Sequence, residues 1–130
     1  MIWYFIIPLF CTFLVMRVGS ILFHDKKGYG NRHTDKSKTI TGLLRRKTGF
    51  DWHHLHFGFV MLLIIIFLIF FNGLNPLYLI FLAIGLSLVF DQLLSWLNKD
   101  WCYFSKEIFL IAFLFHIILA ILAIIISKIS

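Results

Sequence analysis

Cysteine and acidic side chains are both scarce in this chain, and each scarcity closes off a class of protein. The two cysteines stand at positions 11 and 102 of 130 residues, one inside an apolar run and the other in a short polar connection. Cysteines so placed make no disulfide framework, and both are expected as free thiols without the neighbours of a reactive nucleophile. Six Asp and Glu stand against twelve Lys and Arg, a formal net charge of +6. Heptads, internal repeats and low-complexity tracts are missing. So are a His-Glu-x-x-His pair and a Gly-Lys-[Ser/Thr] phosphate loop, and with them the sequence grounds for a metalloprotease helix or a bound nucleotide.

What the chain has in abundance is hydrocarbon. Hydrophobic residues make up 61% of it, sixteen phenylalanines among them. A water-soluble domain of this size could not cover that much apolar surface. The apolar residues fall in four runs, 2–23, 52–71, 77–97 and 107–126. Each is close to the roughly 20 residues that carry a helix across a bilayer. The sequence therefore predicts an all-α integral membrane protein, a single domain over 1–130 with four transmembrane helices in one bundle. The first run could be mistaken for a cleaved signal, with Val18-Gly19-Ser20 as its small-residue site. No basic segment precedes it, so it reads as a retained helix. The second run stops at Asn72-Gly73-Leu74-Asn75-Pro76, a cluster of turn formers.

Charge then orients the spans. Lys26, Lys27, Arg32, Lys36, Lys38, Arg45, Arg46 and Lys47, eight of the twelve cations, crowd the loop 24–50, and Lys99 and Lys106 mark the other connection on that side. By the positive-inside rule both loops are cytoplasmic and both termini lie on the non-cytoplasmic side. Trp3 at one boundary and Trp52, Trp96 and Trp101 at the other fit aromatic belts. A basic loop pinned between two spans accounts for the charge without nucleic acid, and it would meet anionic headgroups. A short amphipathic piece is expected around Ile40–Arg46. The expected partners are membrane lipids, with a homo-oligomer or a larger membrane complex as the assembly. The expected location is a prokaryotic cytoplasmic membrane or an organellar inner membrane.

Chemistry gathers at the cytoplasmic end. Three of the six histidines, His53, His54 and His56, stand at the mouth of the second span. Asp51 is the expected N-cap there, with Thr48 as the alternative. A helix N-terminus disfavours imidazolium, so these rings lean neutral. His53 and His56, three apart, share a face and form the candidate pair, while His54 points to headgroups or to a neighbour. Arg17, Ser20 and His24 form a polar stripe on the first span, and Ser87, Asp91, Ser95 and Asn98 form another on the third. Arg17 and Asp91 fall at the same depth, about 10 Å inside the boundary. An isolated charge there costs several kcal/mol, so the two are expected to pair, with Gln92 or a serine as further partner. His116, on the alanine face of the fourth span, reads as a satisfied packing residue.

Three functions follow from this placement. In the first, His24, His53, His56 and Asp91 hold a divalent metal, Zn or Fe, and a metal-bound water attacks a lipid ester or phosphoester entering sideways. Asp91, Arg17 and His54 are then the catalytic candidates, and Lys38, Thr39, Thr41, Arg45 and Arg46 the contacts to a phosphate or headgroup. The protein would be a metal-dependent hydrolase or lipid-modifying enzyme. In the second it is an oligomeric transporter or proton relay, against which the outer halves of all four spans are almost wholly apolar. In the third it is an accessory or assembly subunit of a membrane complex, its polar stripes locking helices together. Haem is not expected, since no second mid-membrane histidine accompanies His116.

Overall fold

The structure, a computed structural model, describes residues 1–23, 40–49, 52–97 and 105–129, with the side chains of residues 94–96 left aside. These residues form five helices: α1 (Trp3–Phe23), α2 (Ile40–Thr48), α3 (His54–Asn72), α4 (Pro76–Leu97) and α5 (Lys106–Ile129). The chain is all-helical over this range. Four helices, α1, α3, α4 and α5, are long and apolar enough to cross a membrane, with mean hydropathies of 2.1, 2.6, 1.8 and 3.2 over their most apolar windows. This is the architecture of a multi-pass membrane protein.

Local chemistry sets the helix ends. Gly73 closes α3 at φ 76°, a backbone conformation open to glycine, and its N–H bonds the Ile69 carbonyl at 2.9 Å. Two residues later Asn75 caps α4 by accepting the Tyr78 N–H on its side-chain oxygen at 3.0 Å. Pro76 follows at the first helical position, where its missing N–H costs nothing. Ser105 caps α5 through the Ile108 N–H at 3.2 Å. α5 runs on past the expected end at Ile126 to Ile129, with Ser127 turning its hydroxyl onto the Ile124 carbonyl rather than breaking the helix.

The start of α3 departs from expectation. The N-cap is His53, in extended conformation at φ −125° and ψ 155°, not Thr48, which ends α2; Asp51 lies outside the described residues. An imidazole does the work usually given to a glutamate three residues into a helix: Nδ1 of His56 accepts the backbone N–H of His53 at 3.1 Å.

The bundle is arranged about α4. In its apolar window 39% of residues are buried inside the chain, against 22–28% for the others. It packs against α1, α3 and α5, and α1 also touches α5. Small residues let it take that place. Gly58 of α3 meets α4 so closely that a Cβ there would stand 2.8 Å from the Gly85 carbonyl oxygen. Near the termini, Phe5, Leu9, Ala83 and Ala120 make a dry apolar core. The buried stripe of α1 runs Phe5, Leu9, Phe13, Arg17 and Ser20, so the same face that is hydrocarbon at one end becomes polar at the other. Large apolar side chains such as Leu63 (70% exposed) and Phe70 (82% exposed) point outward, as suits a lipid-facing surface.

Candidate functional site at the α2 end of the bundle

Asp91 of α4 is where three helices meet. From α1, Arg17 brings its Nε–H to Oδ1 at 2.5 Å and a terminal N–H to the Asp91 backbone carbonyl at 3.2 Å. From α3, His54 brings Nε2 to Oδ2 at 3.1 Å. All three side chains are buried, Asp91 to within 1% of complete. The guanidinium also lies 5.6 Å from the ring centroids of both Phe13 and Phe109, a cation–π environment that replaces some of its lost hydration. The expected ion pair between Arg17 and Asp91 is therefore present, at the shared depth that put them together in the sequence.

The neighbouring glutamine anchors the other side of α3. Gln92 accepts the Leu55 N–H on Oε1 at 3.3 Å, which leaves its amide nitrogen to donate to Nδ1 of His53 at 3.1 Å. A first-turn N–H has no carbonyl partner within its own helix, so an acceptor from α4 is the natural complement. The two consecutive residues Asp91 and Gln92 thus hold α3 by its first turn. Gln92 or a serine is the expected further partner of Arg17 and Asp91; in the structure Gln92 bonds the α3 backbone and His53. The signal that could have found this is the unsatisfied N–H set that every helix start carries.

The histidines sort differently from the sequence reading. His54, expected to face headgroups or a neighbour, takes the second course and turns inward to Asp91 of α4, which the metal set had assigned to His53 and His56. His53 and His56 do sit together, their rings stacked with centroids 6.0 Å apart and 23° between planes. Their Nδ1 atoms, however, accept from Gln92 and from the His53 backbone, and each is half-buried. A ligating imidazole normally donates one ring N–H to an acceptor while the other nitrogen binds metal. Here Nδ1 of His53 accepts from Gln92, Nδ1 of His56 lies 3.1 Å from the His53 nitrogen and 3.2 Å from its carbonyl oxygen, and both oxygens of Asp91 are engaged by Arg17 and His54. Among the described residues no group of three or more His, Cys, Asp or Glu is placed to hold a metal ion. The fourth expected ligand, His24, lies outside the described residues, as do Lys38 and Thr39.

The remaining headgroup candidates are on α2. Arg45 is buried to within 1% of complete and donates to the Trp52 carbonyl at 3.0 Å, so its guanidinium lies inside the corner between α2 and α3. Trp52 reciprocates, its indole N–H donating to the Thr48 hydroxyl at 2.9 Å. Gly49 makes the corner at φ 70°, its N–H on the Arg45 carbonyl. Arg46 is exposed on the same helix, and Thr41 is half-buried.

Thr41 is half-buried because it lines a cavity. A groove of about 530 Å³ lies between α1 and α3, with the start of α2 also on its wall. Val15 and Gly19 of α1, Thr41 of α2, His54 and Phe57 of α3 and Leu88 of α4 are among its walls. The volume is in the range of small-molecule sites, and the walls are apolar apart from Ser20, Thr41 and His54. His54, which is tied to Asp91, is thus also a wall residue of this groove.

Deeper in the bundle, His116 is completely buried, donating from Nδ1 to the Ala112 carbonyl at 2.7 Å and meeting the Ser87 hydroxyl through Nε2 at 2.9 Å. Its ring packs 4.5 Å from that of Phe13. It is the satisfied packing residue that its alanine-lined face implied. Cys11 is a free thiol on the exposed side of α1, and Cys102 lies outside the described residues.

No family model, no curated protein and no solved structure matches the chain.

Proposed function

We propose that the protein acts on a membrane-embedded amphiphile, a lipid or similar molecule, through the imidazole of His54. One observation carries this reading. His54 is held by a carboxylate that a guanidinium already grips, and the same residue is among those lining an apolar groove. With Nε2–H donated to Asp91, Nδ1 is the ring's acceptor, the atom able to take a proton from a water or a hydroxyl. Asp91 sets the ring's tautomer and orientation, and Arg17 is paired with the same carboxylate. With His54 neutral the three groups sum to no net charge, which suits their depth in lipid. The chemistry such a ring supports is general-base hydrolysis or transfer at an ester: water gives its proton to Nδ1 as its oxygen bonds the carbonyl carbon, and the leaving alcohol takes the proton away.

The test is product formation. Purified protein incubated with vesicles of mixed ester lipids should release fatty acid or a headgroup fragment, read by mass spectrometry. His54→Ala should reduce that rate about 10²–10⁴-fold, the usual contribution of a positioned acid–base group. Absence of product from the wild-type protein across ester and phosphoester lipids would remove the reading.

A second reading has its own support. Both oxygens of Asp91 are satisfied and the residue joins α1, α3 and α4, which is what a structural lock needs. In that case the protein is an accessory subunit, substitutions in the network alter only thermal stability, and a constant partner co-purifies. Conduction has less behind it. The buried polar side chains among the described residues are Arg17, Ser20, Arg45, His54, Ser87, Asp91, Gln92 and His116, and none lines the outer half of a span.

A further inference from the structure

The groove between α1 and α3 is built for a particular kind of occupant. Apart from Ile40 and Thr41 of α2, its walls belong to helices apolar enough to lie in a bilayer, so what reaches it from the side is hydrocarbon. Gly19 leaves it open: a Cβ added there would meet nothing within 4 Å. α2 places Ile40 and Thr41 on the wall while Arg46 and Lys47 of the same helix are exposed. Eight of the chain's twelve cations fall within 24–50, the segment that contains α2. A helix that is apolar toward the groove and cationic outside it is the arrangement that holds an acidic headgroup above its own acyl chain.

We infer that the groove binds one acyl chain of an anionic phospholipid drawn from the surrounding leaflet, with the phosphate at the basic outer face of α2 and the chain's upper ester region beside Thr41 and His54. This deepens the reading of His54 as the working group by naming the class of lipid it meets, and it rests on that same site. Binding and turnover can be read separately, so either can fail without the other.

The experiment is native mass spectrometry of the full-length protein in detergent, titrated with dioleoyl phosphatidylglycerol or dioleoyl phosphatidylcholine. One phosphatidylglycerol molecule should be retained with about fivefold preference over phosphatidylcholine, the discrimination that roughly one Lys or Arg contributes near an anionic surface. Gly19→Phe should abolish the retained lipid by filling the groove. Should that variant fail to fold, the smaller Gly19→Leu should weaken retention in the same direction. Arg46→Gln with Lys47→Gln should bring the two lipids to equal retention while a chain remains bound. Equal retention of both lipids by the wild-type protein would overturn the proposal. So would phosphatidylglycerol retention untouched by both Gly19 variants, which would put the lipid on the surface of α2 alone. Retained lipid with no product formed would leave the binding site standing and remove the catalytic reading.

Discussion

Asp91 accepts a guanidinium on one oxygen and an imidazole on the other, and the energetics of that triple contact decide what mutations at it do. Removing one partner from a buried ion pair strands the other charge in hydrocarbon, at a cost of about 3–5 kcal/mol. Arg17→Leu alone should therefore destabilise the bundle more than Arg17→Leu combined with Asp91→Leu, measured by thermal or denaturant unfolding in detergent. An equal or greater loss in the double variant would show that the pair is not coupled. The cap on α3 makes a finer test. His56→Ala removes the acceptor for the His53 N–H and should cost about 0.5–2 kcal/mol, whereas His56→Glu, the usual residue for that role, should restore most of it. If glutamate behaves like alanine, the ring of His56 serves something other than the helix start. The three-residue spacing of His53 and His56 was enough to predict that the two rings share a face. Which atoms they would spend, and on what, depended on Gln92, 36 positions further along than His56.

Between elements, the contact that matters most is glycine on glycine. At Gly58 an added methyl would collide with a backbone carbonyl at 2.8 Å and with Leu88 and Val89 at 2.9 Å, none of which can rotate far. At Gly85 the nearest atoms are the end of the Leu62 side chain at 2.9–3.0 Å, which can move to another rotamer, with the Gly58 carbonyl at 3.3 Å. Gly58→Ala should therefore lower stability by about 1–3 kcal/mol and Gly85→Ala by less, a ranking that melting temperatures in a common detergent will check. Because α3 is held to α4 by this contact and by Asp91 and Gln92, pushing the two helices apart should also loosen His54. Loss of retained phospholipid in Gly58→Ala at temperatures where the protein remains folded is the expected sign. The small residue in an otherwise bulky run was visible in the sequence, and so were the amphipathic piece from Ile40 and the turn before Pro76. The buried role of Arg45 was not, since a cation in a basic loop gives no indication that its guanidinium will turn inward to a carbonyl.

For the molecule as a whole, the distribution of charge makes a topological prediction. With Cys11→Ser and Cys102→Ser as background, Ser37→Cys should react with a membrane-impermeant maleimide only after the cells are permeabilised, and Ser130→Cys should react in intact cells. The reverse pattern would invert the protein in its membrane and place the polar network and the groove at the opposite leaflet. The proposed lipid would then have to come from that leaflet, a consequence that ties the topology to the ligand.

Length, hydropathy and charge position were sufficient to predict four spanning helices, because transfer of apolar residues into lipid is additive along the chain and needs no knowledge of neighbours. Depth counted in residues was likewise sufficient to pair Arg17 with Asp91, since a charge that cannot reach water must find another at its own level. Rotation of each helix about its axis was left open. Close packing of Gly58 on Gly85 settled it for α3, turning His54 rather than the His53 and His56 pair toward the carboxylate and spending the latter two on the helix start. The groove beside His54 belongs wholly to the tertiary structure: it exists because α1 and α3 each pack on α4, and the space left between them is a property of no single segment.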